Sequence, residues 1–199
     1  VPGGETPKFR NLWEYIGKKM PKKGVRQAGK LDPLSLPAEL QTALEALYGH
    51  YKKTFEVWEE AKIDVPPVFV VVCNNTSTSK LIFDLISGFE REDEDGSTKF
   101  LNGSLALFRN YDEHGNRLAR PRTLLIDSEQ LESGDALDKK FREMAADEIE
   151  KFRRDIIKRT GNIKAAEKIT DQDLLREAMN TVGKRDCLGE SIRCVVSVS

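Results

Sequence analysis

Apolar residues recur every three to four positions after Leu36 and predict a long amphipathic helix. The members of this stripe are Leu40, Leu44, Leu47, Tyr51, Phe55 and Trp58. We expect the helix to begin near Ser35-Leu36-Pro37 and to end before Pro66-Pro67, because proline bounds helices. Residues 1–34, by contrast, are rich in Pro, Gly and Lys, which is typical of a linker with one short helix at FRNLWEYIGKKM.

The run of apolar residues from Val68 to Cys73 has no helical period and predicts a buried strand. Since both of its faces are apolar, we expect it to lie at the centre of a parallel sheet. A helix follows, and its apolar face consists of Leu81, Ile82, Leu85 and Ile86. Asn75 or Thr76 is its expected N-cap, and Gly88 is its expected end.

The segments between this helix and residue 126 are predicted to be a loop and a β-ribbon. The acidic stretch EREDEDGS predicts the loop. Residues 98–126 show the alternation of a ribbon with a turn at Asp112–Asn116. The ribbon is expected to lead into a second buried strand at Thr123–Ile126.

Two more helices and a third strand are predicted in the last part of the chain. One apolar stripe runs from Leu137 to Ile156 and stops at Gly161. The segment TDQDLLREAMNTVG predicts a helix that begins with a capping-box pair, Thr170 and Asp173. The third strand is Ile192–Val198. Strands that alternate with helices predict an α/β fold with a mostly parallel sheet.

The composition is that of an ordinary globular protein, with 39% hydrophobic residues, 33% charged residues and a net charge of −1 over 199 residues. The longest apolar run is too short to cross a membrane. Cys73, Cys187 and Cys194 have neither metal-site nor disulfide spacing, so we expect reduced thiols and a cytoplasmic protein without a membrane partner. The first residue is not Met, which suggests that the chain was cut from something longer.

Charge is unevenly distributed along the chain. Residues 1–30 contain eight Lys or Arg and two Glu, and the segment 127–150 contains nine carboxylates. The lysines Lys18, Lys19, Lys22 and Lys23 form a possible basic patch for phosphate groups. A solvated linker is the favoured interpretation of the same residues.

No complete catalytic constellation can be assembled from the sequence. The phosphate-binding pattern G-x-x-x-x-G-K-[ST] does not occur. The DEHG sequence at Asp112–Gly115 lacks the spacing of a helicase acidic box, and it has the composition of a hairpin turn. With His50 and His114 as the two histidines, neither a Ser-His-Asp triad nor a metal site can be built. We therefore predict no catalytic residue and no metal ligand.

Polar residues follow each of the three predicted strands. These are Asn74–Ser77, Asp127–Glu129 and Ser197–Ser199, and ligands of parallel sheets bind at such strand ends. The start of the helix after Asn75 also favours a phosphate. No glycine is present to allow close approach of a pyrophosphate, so side-chain contacts to a nucleic-acid backbone fit better. The alternative is that Asn75 and Thr76 do no more than cap the helix.

Four long stretches carry a resemblance to a known family. They are VPPVFVVVCNNTSTSKLIFDLISGFE, LFRNYDEHGNRLARPRTLLIDSEQLESGDALD, FREMAADEIEKFRRDIIKRTG and LGESIRCVVSVS. Together they resemble the restriction (Res) subunit of type III restriction–modification systems, an ATP-dependent DNA translocase and endonuclease of helicase superfamily 2. The resemblance implies an incomplete RecA-like parallel sheet with flanking helices, a β-ribbon insertion and an extra N-terminal helical segment.

The resemblance also implies a domain division and a set of DNA-binding residues. Residues 1–34 correspond to a basic linker, and residues 35–199 to part of the second RecA-like domain, ending within motif V. VFVVVCNNTS corresponds to motif IV, and CVVSVS to the beginning of motif V. The DNA-binding residues implied in this way are Asn74, Asn75, Thr76, Ser77, Ser197 and Ser199.

The implied function is that of one part of the translocase, which contributes DNA contacts and half of an inter-domain ATP cleft and is inactive alone. ATP and Mg²⁺ would belong to the parent enzyme, and this part would hold no cofactor by itself. Its implied partners are DNA, the other RecA-like and nuclease domains, and the modification (methyltransferase) subunit. A different interpretation is a non-enzymatic α/β interaction module that uses the acidic 127–150 segment and the 36–61 helix. A stand-alone small-molecule binder at the topological switch point of the sheet is a third, less favoured one.

Overall fold

A three-stranded parallel sheet organises the protein in a computed structural model that describes residues 11–20, 32–92, 96–126 and 139–198. The strands are β1 (Phe69–Cys73), β4 (Thr123–Ile126) and β5 (Cys194–Val198). Their order in the sheet is β1-β5-β4, with β5 parallel to both neighbours. The mixed α/β class and the parallel sheet predicted from the sequence are therefore confirmed.

Helices cover both faces of this sheet. They are α1 (Leu12–Ile16), α2 (Ala38–Glu60), α3 (Thr76–Ser87), α4 (Lys139–Met144), α5 (Ala146–Thr160), α6 (Ile163–Glu167) and α7 (Asp171–Asn180). Short 3-10 turns occur at Pro33–Ser35 and Ala106–Phe108. No helix in the described ranges combines the length and the apolar character that a membrane crossing requires.

Two hydrophobic cores lie on opposite sides of the sheet because the side chains of β5 alternate between them. Cys194 and Val196 point into the first core, which α2 and α3 cover. Val195 points into the second core, together with Leu124 of β4, under α4, α5 and α7. Burial of apolar surface in these two layers holds the sheet between its helices.

Several local predictions are confirmed. The apolar stripe after Leu36 is α2, which ends at Glu60, several residues before the two prolines. Helix α3 begins after Asn75 as N-cap and ends at Gly88, whose φ of 107° is readily adopted by glycine. The capping box of α7 is complete, since Thr170 and Asp173 exchange hydrogen bonds.

The prediction that the strand at 68–73 is central and buried on both faces is wrong. In the described part of the sheet β1 is an edge strand, and β5 takes the centre. Val70 and Val72 are 60% and 63% exposed. The second core contains residues of β4 and β5 and none of β1. An apolar run thus marks a strand, but its two faces need not both be covered.

The β-ribbon predicted within residues 98–126 pairs differently in the structure. Strand β3 (Thr98–Asn102) pairs antiparallel with β2 (Gly88–Glu92), which includes the start of the acidic stretch predicted to be a loop. After β3 the predicted ribbon is reduced to an isolated bridge between Tyr111 and Arg117. The turn at Asp112–Asn116 joins these two residues and is confirmed.

Two other segments also differ from expectation. The helix predicted from Leu137 to Ile156 is divided into α4 and α5 at Ala145, which is fully buried in the second core. Part of the predicted linker is packed, since Ile16 and Met20 are buried in the first core. The short helix expected in that segment is α1, and it contacts α2.

Candidate functional site

The carboxyl ends of the three parallel strands lie at one edge of the sheet. Ser197 of β5 pairs with Val72 of β1 and with Ile126 of β4. The segment Asn74–Ser77 follows β1 directly and begins α3 at this same edge. Ser199 and the segment 127–129 lie outside the described residues. The structure therefore brings Ser197 and the Asn74–Ser77 segment to one edge, as ligand sites of parallel sheets require.

Asn75 acts as the N-cap of α3. Its backbone is extended, with φ −160° and ψ 162°, and its side-chain Oδ1 accepts a hydrogen bond of 2.8 Å from the Thr78 backbone N–H. Its Nδ2 donates to Oδ1 of Asn74 at 3.1 Å. The residue is 5% exposed. Asn75 is thus part of the framework of this edge, and a ligand would reach its amide only by displacing the cap.

The residues around Asn75 leave polar groups at the surface. Asn74 and Thr76 are exposed, and Ser77 is half-buried. Among the described residues the backbone N–H groups of Thr76 and Ser77 have no acceptor, because the first helical bond runs from Ser79 N to Asn75 O. Two free N–H groups at the positive end of a helix dipole attract an anion.

A buried hydroxyl lies in the same first turn of α3. Thr78 is 4% exposed, and its Oγ1 has no hydrogen-bond partner. Its backbone N–H, by contrast, is satisfied by Asn75. An unsatisfied buried hydroxyl is uncommon, and in this turn the Thr78 hydroxyl is left without a hydrogen-bond partner.

No protein-family model, curated protein or solved structure matches the chain. The resemblance to type III restriction subunits therefore stays a hypothesis.

The lysines predicted as a basic patch are only partly described. Lys18 and Lys19 are exposed, and Nζ of Lys19 forms an ion pair of 3.0 Å with Glu39 at the start of α2. Lys22 and Lys23 lie outside the described residues. An exposed ion pair of this kind contributes less than about 1 kcal/mol, so it would yield readily to a phosphate.

The DEHG sequence is a hairpin turn, as predicted. Oδ1 of Asp112 accepts hydrogen bonds from the backbone N–H groups of His114, at 2.8 Å, and Asn116, at 2.9 Å. Hydrogen bonds from the Asn116 side chain and backbone lower the pKa of Asp112. The carboxylate is used to close the turn. In the described ranges no three His, Cys, Asp or Glu side chains are grouped so as to hold a metal ion.

A cleft of about 620 Å³ at the opposite end of the sheet was not anticipated from the sequence. Its walls include Pro66 and Pro67 before β1, Arg122 before β4 and Arg193 before β5. The sequence signal was an arginine directly in front of each of two buried strands, in RPR-TLLI and SIR-CVV. Their proximity depends on the strand order, which the sequence did not show.

Proposed function

We propose that the chain contributes contacts to the DNA backbone in an ATP-dependent translocase of the type III restriction class. The observation that carries the proposal is the carboxyl edge of the sheet, with exposed Asn74 and Thr76 beside free N–H groups of α3. Amide, hydroxyl and N–H groups are those that contact phosphate without reading sequence. The resemblance of VFVVVCNNTS to motif IV supports the same assignment.

In this proposal Asn75 positions the site rather than touching DNA. Its Oδ1 holds the first turn of α3, and its Nδ2 orients the amide of Asn74. DNA would meet Asn74, Thr76 and the two N–H groups. Ser77 and Ser197 would line the same edge, since both are half-buried there.

The chain alone is not expected to hydrolyse ATP. Its sequence lacks the G-x-x-x-x-G-K-[ST] pattern that cradles the triphosphate and its Mg²⁺. In the parent translocase the other RecA-like domain would supply that pattern, and this domain the opposite wall of the ATP cleft. The nuclease domain and the modification subunit would be its further partners. Turnover that survives repurification would contradict this part of the proposal.

The test is the binding of labelled single-stranded and duplex DNA by fluorescence anisotropy over a salt series. The decisive variant is Thr76→Glu, because a carboxylate at the first position of α3 is favourable for the helix but repels a phosphate. Its matched control is Ala38→Glu, which likewise adds one carboxylate at the exposed first position of a helix, here α2. Both variants alter the net charge equally.

We expect Thr76→Glu to weaken DNA binding by about tenfold, equivalent to about 1.4 kcal/mol, and Ala38→Glu to have a much smaller effect. Binding should also weaken as salt rises, since phosphate contacts release counterions. Equal losses in the two variants would show that the contact is diffuse. A third variant, Lys18→Glu with Lys19→Glu, would then identify the basic segment as its source.

A second function is favoured by one observation, the apolar residues exposed on α2. Leu47 and Val57 are 48% and 59% exposed on that helix. Such residues suit an α/β interaction module that binds another protein. Absence of DNA binding at every salt concentration, with the protein folded, would place this function first.

A further inference from the structure

The cleft at the amino ends of the strands combines an apolar wall with charged groups. The last turns of α2 contribute Phe55 and Trp58, and the segment before β1 contributes Pro66 and Pro67. Its volume of about 620 Å³ lies within the range of small-molecule sites. This end of the sheet is remote from the carboxyl edge, so the cleft is independent of the DNA contact proposed above.

Two arginines on neighbouring strands line the cleft. Arg122 and Arg193 directly precede the paired residues Thr123 and Cys194, and the Arg193 backbone N–H donates to the Arg122 carbonyl at 2.7 Å. Neighbouring parallel strands thus bring two like charges together. Burial, followed by the charge of Arg122, lowers the pKa of Arg193.

The surroundings of this pair do not neutralise it. The Arg193 guanidinium lies over the ring of Phe55, 4.7 Å from its centroid, and its Nη1 donates to the Leu107 carbonyl at 3.4 Å. Among the described residues the side chain of Arg122 has no hydrogen-bond or ion-pair partner. Adjacent like charges without a counter-ion are unfavourable, and a bound anion would remove that cost.

Most of the carboxylates that line the cleft bind groups other than Arg122 and Arg193. Glu148 pairs with Arg120 at 2.5 Å, and Asp64 pairs with Arg185 at 2.5 Å. Glu190 accepts a hydrogen bond of 3.0 Å from the Asp186 backbone N–H. Glu59 also faces Arg193 and raises its pKa, but within the described ranges it forms no ion pair with it.

We propose that this cleft binds a small organic anion of about nucleotide size, with its phosphate or carboxylate between Arg122 and Arg193 and its flat ring or apolar body against Trp58 and Pro66. Guanidinium groups bind both kinds of anion through paired hydrogen bonds. The apolar wall favours a ligand whose anionic group is attached to an apolar body over a bare inorganic ion.

Trp58 allows the binding to be measured directly. The chain has two tryptophans, and the other, Trp13, is 48% exposed on α1. In a Trp13→Phe background the emission therefore reports on Trp58 in the wall of the cleft. The probes are AMP, phenyl phosphate and benzoate, with benzyl alcohol as the neutral aromatic and inorganic phosphate as the ion without a ring.

We expect saturable changes in Trp58 emission with the aromatic anions and none with benzyl alcohol. Comparison of phenyl phosphate with benzoate shows which anionic group is preferred. The inference is overturned if no aromatic anion binds saturably, or if inorganic phosphate binds as tightly as phenyl phosphate.

Arg122→Gln provides the decisive variant. Removal of one of two adjacent like charges should leave the free protein at least as stable, yet reduce affinity for the aromatic anion by about tenfold or more. Arg176→Gln, at an exposed position of α7, is the matched control and should bind as the parent does. Unchanged affinity in Arg122→Gln refutes the site. Should that variant unfold, Arg193→Lys keeps the charge and removes the planar fork, and weaker binding is again required.

Discussion

Replacement of Asn110 by alanine tests how the start of β4 is held in the fold. Asn110 is 4% exposed, and its side chain makes three hydrogen bonds to the backbone of Arg122 and Thr123, where β4 begins. Its Oδ1 accepts from Arg122 N at 2.8 Å and from Thr123 N at 2.9 Å. Its Nδ2 donates to the Thr123 carbonyl at 2.9 Å. One amide therefore satisfies two backbone donors and one acceptor.

The expected cost follows from the groups that alanine leaves without partners. A buried N–H that loses its acceptor costs about 1–3 kcal/mol, and a carbonyl costs less because it retains a second lone pair. Two donors and one acceptor together give about 3–5 kcal/mol. That is a large part of the roughly 5–15 kcal/mol that stabilises a typical domain.

Urea unfolding followed by circular dichroism measures this cost. With a slope of about 2 kcal/mol per molar urea, the midpoint of Asn110→Ala should fall by about 1.5–2.5 M. Asn180→Ala is the control, because Asn180 is exposed at the end of α7 and should change stability by less than about 0.5 kcal/mol. A loss below about 1 kcal/mol for Asn110→Ala would refute the reasoning.

Asn110→Asp tests the same hydrogen bonds through pH. The carboxylate can still accept from the two N–H groups, but its second oxygen faces the Thr123 carbonyl to which Nδ2 donated. The repulsion and the burial raise the folded-state pKa above the unfolded value of about 3.9. Between these two pKa values the folded state then binds more protons than the unfolded state. The difference in free energy of unfolding between Asn110→Asp and the parent should therefore shrink as pH falls through that window. A deficit that is constant with pH would contradict this account.

Two further predictions concern close packing and thiol reactivity. Gly103→Ala should lower the free energy of unfolding by at least about 3 kcal/mol, because an added Cβ would lie 2.0 Å from the Ile86 carbonyl oxygen. Gly49→Ala in α2 places its Cβ in open space and should raise that free energy by about 0.5–1 kcal/mol, as measured by chemical denaturation. Equal effects of the two variants would be inconsistent with this geometry. Burial raises the pKa of Cys73 to about 11 and that of Cys194 to about 12, so both stay protonated at pH 8. Half-buried Cys187 should then be the one thiol that reacts rapidly with a disulfide reagent, and this reaction should be absent in Cys187→Ser. Rapid reaction of all three cysteines would show that reagent reaches the two hydrophobic cores.

The elements that the sequence predicted well are those specified by nearby residues. The stripe of α2 repeats over several turns, and the cap of α3 is formed by Asn75 and Thr78, three positions apart. The same holds for the capping box of α7 and for the turn closed by Asp112. In each case the interacting groups are close in sequence, so their spacing was sufficient evidence.

The predictions that failed depend on pairing between distant residues. The run at 68–73 could not reveal that Val70 and Val72 face away from any described helix. Strand β2 was predicted as loop because its exposed Glu90 and Arg91 are charged, although a two-stranded ribbon tolerates charge on its solvent face. The arginine pair of the cleft arises from the register of β4 with β5, which no local pattern encodes.

The polar residues after β1 were recognised correctly as belonging to a strand end, but their individual roles were not separable. Asn75 and Asn74 are adjacent and chemically identical, yet one is buried as a cap and the other is exposed. The distinction follows from backbone conformation, since the extended Asn75 aims its Oδ1 at the turn ahead. The residue type alone does not predict the direction in which each side chain points.

The position of β5 has a consequence for how the protein acquires its structure during synthesis. Phe69 and Thr123 both pair with Cys194, so in the described part of the sheet β1 and β4 are joined through a strand that the ribosome makes much later. Until then the nascent chain presents two unpaired strand edges, one of them a row of valines. Such edges invite association between neighbouring nascent chains, and contacts this distant in sequence close slowly. The described sheet is therefore completed only after β5 has been translated, and shielding of β1 by a chaperone during that interval would favour the native pairing.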